Sequence, residues 1–112
     1  MDLSSNQNGP YKIVTVNAGR IDAAVAIQFK DAMRVQTSDG IAHIVLDLGQ
    51  VTFIDSSGLG AIVASMKQLG LGQRLDLAVL TPDVEKVFRL TRMDSIFTIH
   101  DSLEALDRKH AG

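Results

Sequence analysis

"VTFIDSSGLGAIVASMKQLG", Val51 to Gly70, places an acid, paired serines and glycines at the point where an apolar strand-like run turns into a helix. Beyond the junction Leu59, Ile62, Val63, Met66 and Leu69 recur at i, i+3, i+4, i+7 and i+10. That spacing lines one helix face and predicts a helix from about Ser57 to Leu69, ended by Gly70. Just upstream, "IAHIVLDLG" (Ile41–Gly49) is short and almost continuously apolar, the pattern of a strand covered on both faces. It reads as the central strand.

Working outward, the same alternation recurs. "YKIVTVNAG" (Tyr11–Gly19) is rich in β-branched residues and predicts a strand ending near Asn17 to Gly19. Asp22 then precedes Val25, Phe29, Ala32 and Met33 at helical spacing, so a first helix is expected from Asp22 or Ala23 and is stopped by Asp39-Gly40. "LDLAVL" (Leu75–Leu80) predicts a strand, and Pro82 opens a third helix, its fixed φ suiting the first helical position. "SIFTI" (Ser95–Ile99) predicts a last strand, and Asp101 with Glu104 in capping-box spacing starts a fourth helix. Residues 1–9 are polar and run into an Asn-Gly-Pro turn, which leaves a frayed tail or a short edge strand. Strands alternating with helices imply an α/β fold: one domain over residues 1–112, with a mostly parallel mixed sheet of four to five strands and about four helices. In such sheets functional loops gather at the carboxyl ends of the strands. "NAGRID" (Asn17–Asp22) and "FIDSSG" (Phe53–Gly58) both qualify, which brings Asp22, Asp55, Ser56 and Ser57 to one end.

The 112 residues suit a single core, long enough to bury roughly two thirds of the unfolded surface. A net charge of −2 and the absence of tryptophan leave neither a basic footprint nor stacking platforms for nucleic acid. Without cysteine there is no disulfide framework, thiolate metal site or thiol nucleophile. The first residues lack the basic head and apolar run of a signal peptide, and no apolar stretch reaches the ~18–20 residues of a membrane span, so a cytoplasmic location without direct membrane contact is expected.

Helix capping explains an acid and one serine in "DSSG". It does not explain glycine at both 58 and 60, since Gly costs about 1 kcal/mol against Ala inside a helix. Tight helix–sheet packing or a partner's close approach would. A hydrolytic serine is disfavoured: a nucleophile elbow needs glycine two residues before the serine, where Ile54 and Asp55 stand. His43, His100 and His110 offer no evident base; His43 reads as a satisfied histidine within the central strand. "GLGQRL" lacks the third glycine of a dinucleotide fingerprint, and no phosphate-binding G-x-x-x-x-G-K-[ST] exists. Asp22 and Asp55 read as capping carboxylates rather than Mg²⁺ ligands. No catalytic residue, cofactor or metal is expected.

The run "IVLDLGQVTFIDSSGLGAIVASMKQL" resembles the signature of the STAS domain, specifically of bacterial anti-sigma factor antagonists, and "NAGRID" before a helix is similar to that family's Gly-x-Ile/Leu-Asp element. The resemblance covers essentially the whole chain, with Asp-Ser-Ser-Gly-Leu-Gly its specific part. It implies an acceptor, not an enzyme. On that resemblance the serine after the motif aspartate, here Ser56, is expected to be phosphorylated by an anti-sigma factor serine kinase. The unmodified form would then bind that kinase and release a sigma factor, and a PP2C-type phosphatase would restore it. The alternative within the fold is a STAS scaffold in a stress-sensing complex, or a docking subunit of a lipid or anion transporter.

These readings carry structural expectations. The chain is a monomer with Ser56 exposed and Ser57 capping the helix, its hydroxyl facing inward; Asp22, Asp55, Ser57 and Gly58 support the loop. Val51, Phe53, Ile62 and Met66 are buried. Gly58, Ala61 and Ser65 form an exposed stripe of small residues on which the kinase docks, so that Gly58→Arg blocks binding and spares stability.

Overall fold

A computed structural model describes residues 1–106. Strands β1 (Leu3–Asn8) and β2 (Tyr11–Val16) form an antiparallel hairpin. Helix α1 (Ala26–Thr37) leads to β4 (His43–Asp47), α2 (Ser56–Lys67) to β6 (Arg74–Ala78), and α3 (Pro82–Leu90) to β7 (Ile99–His100). The short segments β3 (Arg20–Ile21) and β5 (Phe53–Ile54) pair with each other apart from the main sheet. That sheet has the order β1-β2-β4-β6-β7, parallel throughout except for β1. The amino-terminal residues are thus an edge strand rather than a tail. Their turn, Gly9-Pro10, has Gly9 at φ +61°, a conformation that favours glycine at the first position of a two-residue hairpin loop.

The strand order advances in one direction only, so right-handed crossovers put all three helices on the same face. Alternation along each strand records it. Val14, Val16, Ile44, Leu46, Leu75 and Leu77 meet Phe29 and Met33 of α1, Leu59 and Ile62 of α2, and Val84 and Phe88 of α3. The in-between residues Tyr11, Ile13, Val45 and Ala78 turn to the other face and pack with Leu106. Both faces of β4 are covered, hence its unbroken apolar run. The central-strand reading holds.

Several boundaries move for identifiable reasons. Helix α1 begins at Ala26, not at Asp22 or Ala23, because the Asp22 carboxylate and carbonyl accept from the Ala24 and Val25 N–H groups and fix a tight turn first. Helix α2 begins at Ser56 under an Asp55 cap and ends at Lys67. The last strand shrinks to Ile99–His100, since Met93–Ser95 winds into a 3₁₀ turn entered through Arg92 at φ +61°. Residues 104–106 are helical and start from Ser102, whose Oγ accepts from the Ala105 N–H (3.2 Å), instead of from an Asp101–Glu104 box. The rest of the expected fourth helix, like His110, lies outside the described residues.

Candidate functional site

The site is built where β3 and β5 run side by side, Arg20 opposite Phe53 and Ile21 opposite Ile54. The "FIDSSG" loop therefore does not leave the central strand. The chain first departs from β4 through a turn closed by the Val51 N–H on the Leu48 carbonyl, and returns as β5, where the Thr52 and Phe53 N–H groups donate to the Gly19 carbonyl. That detour places the "NAGRID" and "FIDSSG" segments in direct contact. Ile21 and Ile54 turn inward and are buried, leaving Arg20, Phe53 and the polar residues outside.

Asp55 ties the two segments together. One carboxylate oxygen accepts from the Gly58 N–H (2.8 Å) and caps α2; the other accepts from the Ala23 N–H (3.1 Å) in the turn before α1. The Gly58 hydrogen bond, helped by that from Ala23, holds the Asp55 pKa below the ordinary carboxylate value. Asp22 makes a parallel arrangement, accepting from the Ala24 N–H (3.1 Å) and from Arg20 Nε (3.2 Å). The Arg20 guanidinium also lies over the Phe53 ring, 4.1 Å from its centre. Phe53 is 41 % exposed rather than buried; on a two-residue strand with Ile54 turned inward, its side must face out. Val51 and Ile62 are fully buried as expected, and Met66 only partly.

Ser56 and Ser57 occupy the first positions of α2, both exposed. Ser57 is not the cap: Asp55 fills that role with a stronger, charged acceptor, so no inward pull acts on the Ser57 hydroxyl. The glycines separate cleanly. A Cβ on Gly58 would lie 1.9 Å from the Ile21 carbonyl oxygen, so this residue is the contact that lets α2 close on β3. A Cβ on Gly60 would meet nothing within 4 Å. The expected docking stripe is overturned in full. Gly58, Ala61 and Ser65 are buried, and Ser65 Oγ donates back to the Ala61 carbonyl (2.8 Å); small residues on this side let α2 pack tightly against its neighbours. Ser56, Ser57 and Gly60 share the opposite, solvent-facing side of the helix.

A second polar cluster escaped the sequence reading. Asp76 on β6 is 1 % exposed and receives Arg74 Nε at 2.8 Å on one oxygen, with His43 Nε2 and His100 Nε2 each at 2.8 Å on the other. Burial raises its pKa, but the hydrogen bonds from His100, Arg74 and His43 outweigh that and keep it below the ordinary value. A carboxylate oxygen can only accept, so both rings present N–H to it. His43 and His100 are structural anchors rather than bases for a serine. Only the alternation along β6, which puts Asp76 between Arg74 and Ala78 on the less covered face, hinted at it. Among the described residues no group of three or more His, Cys, Asp or Glu is arranged to hold a metal, and no helix is long and apolar enough to cross a membrane.

Comparison with known proteins places this geometry. The STAS domain profile matches residues 3–106. An anti-sigma-B factor antagonist of Listeria monocytogenes is 37% identical over 84 residues, covering 73% of this chain and 73% of that protein. An anti-sigma factor antagonist from Mycobacterium paratuberculosis superposes with a TM-score of 0.82 at 24% identity, over 93% of this chain and 88% of the other. The phosphorylated form of the Bacillus cell fate determinant SpoIIAA shares the fold, with a TM-score of 0.65 at 21% identity over 96% and 98% of the two chains.

Proposed function

The chain belongs to the STAS domain family, and from that premise we propose that it is an anti-sigma factor antagonist switched by phosphorylation of Ser56. The observation that carries the reading is the exposure of Ser56 at the start of α2, directly after an Asp55 whose carboxylate is already committed to two backbone amides. Such a serine can enter a kinase active site while the loop beneath it stays fixed. Its position right after the motif aspartate, not the local geometry, selects it over Ser57.

A phosphate on Ser56 adds about −1.5 to −2 charge and three acceptor oxygens beside the amino end of a helix, where an anion is tolerated. The fold therefore survives modification. A docked partner fares differently, because the dianion lies next to Asp55 and near Asp22 on a surface that must lose its water on binding. A penalty of ~1–3 kcal/mol, roughly a five- to hundredfold loss of affinity, is enough to redirect a kinase between this protein and a sigma factor. In this scheme the chain catalyses nothing; an anti-sigma factor serine kinase in the cytoplasm modifies it and a PP2C-type phosphatase restores it.

The test begins with the kinase captured by pull-down from the native cell, incubated with this protein and Mg·ATP, the site being mapped by tandem mass spectrometry. Phosphate is expected on Ser56. Ser56→Ala should bind the kinase in the presence of ATP and stay unmodified, and Ser56→Asp should bind weakly. Labelling of Ser57 alone, or stoichiometric labelling without loss of kinase affinity, refutes the switch.

Docking is assigned to the side of α2 that carries Ser56, Ser57 and Gly60. Gly60 has open space around it and gives up the helix propensity of alanine with no internal packing in return, which fits close approach by a partner's backbone. Gly60→Arg is expected to abolish kinase binding in a titration while the thermal midpoint stays level or rises. Wild-type affinity in that variant moves the interface elsewhere.

A further inference from the structure

The six residues of β1, Leu3–Asn8, form one rim of the sheet. Their two-residue loop makes Asn8 and Tyr11 a hydrogen-bonded pair, and the same phase returns where the Asn17 N–H donates to the Asp2 carbonyl (3.0 Å). Asp2, Ser4, Asn6 and Asn8 therefore direct their main-chain groups to β2, whereas Leu3, Ser5 and Gln7 direct theirs away from the sheet. Among the described residues no other segment hydrogen-bonds to the outward groups. Proteins ordinarily blunt such a rim with charge, proline, a bulge or brevity. Strand β7 at the opposite rim is protected by its two-residue length. Strand β1 has an unbroken register, and between Leu3 and Asn8 it has neither a charged residue nor a proline.

We propose that β1 pairs antiparallel with β1 of a second copy of this chain, about a two-fold axis through Ser5. This register sets Leu3 opposite Gln7 of the second copy and Ser5 opposite its own equivalent, each pair exchanging both main-chain hydrogen bonds. On the other face Ser4 meets Asn6, and farther out Asp2 meets Asn8, so no charge faces a like charge. The flank of α1 above this rim is marked by Gln28, whose Oε1 accepts from the Met1 ammonium (3.5 Å). Val35, seven residues on and so on the same flank, is 69 % exposed, and the pairing brings the two α1 flanks together over one continuous sheet. A symmetric dimer thus replaces the monomer expected from the sequence, and it does not depend on the phosphorylation switch.

Sedimentation equilibrium on the full chain tests the pairing with Ser5→Pro and Ser5→Lys. Proline removes an N–H that β2 does not use, so the hairpin tolerates it; lysine sets two ammonium groups opposite each other across the axis. The wild type is expected to dimerise and both variants to associate roughly tenfold or more weakly, with unchanged circular dichroism. Amide exchange at Leu3, Ser5 and Gln7 should slow with concentration in the wild type alone. A wild type that stays monomeric up to its solubility limit, or a dimer indifferent to Ser5→Lys, overturns the proposal.

Discussion

Gly58→Ala is expected to lower folding stability by about 2–3 kcal/mol, although alanine is the better helix former by ~1 kcal/mol. The added Cβ would fall 1.9 Å from the Ile21 carbonyl oxygen and 2.7 Å from its carbon. Both are backbone atoms of β3, so no side-chain rotation relieves the overlap. Either α2 rides up off β3, or β3 shifts and strains its pairing with β5. The thermal midpoint should fall by roughly 10 °C for a domain of this size. Gly60→Ala, two residues along the helix and in open space, supplies the control and should gain about 0.5–1 kcal/mol. Denaturant melts of the two variants in parallel decide it; equal stability would remove the close contact between α2 and β3 as the reason for Gly58. The same geometry withdraws Gly58→Arg as a probe of docking, since a variant that disturbs the fold cannot report on an interface.

Asp76→Asn is the second large effect, a loss of about 2–4 kcal/mol at neutral pH. The amide presents two donors and one oxygen to a cluster that asks only for acceptors: Arg74, His43 and the buried His100. Arg74 and His43 are partly exposed and can turn to water, which keeps the loss from rising further. The pH dependence follows from the lowered pKa of Asp76. A group whose folded pKa lies below its unfolded value stabilises fully above the unfolded value, about 3.9 for Asp, and loses that contribution as pH falls through the folded one. The gap between wild type and Asp76→Asn should therefore be widest at neutral pH and narrow below about pH 4, where the protonated acid resembles the amide. Urea midpoints measured across this range check it. A constant gap would mean that the carboxylate is held by packing rather than by its charge.

The two clusters divide the molecule. Asp55 and Asp22 take up backbone amides at the end of the sheet that carries Ser56, above the buried Ile21 and Ile54. Asp76 anchors β4, β6 and β7 to one another on the face away from α1, α2 and α3. Under the proposed switch, a phosphate on Ser56 would change what docks there while leaving the second cluster untouched.

Much of this was written along the chain. Apolar patterning located α2, β4 and β6, because a helix or strand that buries one face must repeat at its own period, while β-branched residues marked β2 and Pro82 marked the start of α3. Asp-Ser-Ser-Gly-Leu-Gly gave the family, and the placement of Ser56 outside followed. Wherever the outcome depended on which residue stands across from which, the chain was silent. Asp55 rather than Ser57 caps α2 because the helix already starts at Ser56, and its second oxygen is taken by the N–H of Ala23, thirty-two residues earlier. Phe53 faces out because its strand pairs with Arg20–Ile21 and not with the main sheet. The stripe of Gly58, Ala61 and Ser65 looked like an exposed docking track, since small residues permit close approach, but periodicity cannot say whether the approaching surface is a partner or the protein's own β3 and α1. Only the folded chain decides that. Local sequence fixes the period and the caps of an element, whereas its azimuth and neighbours come from packing against segments far away in the chain.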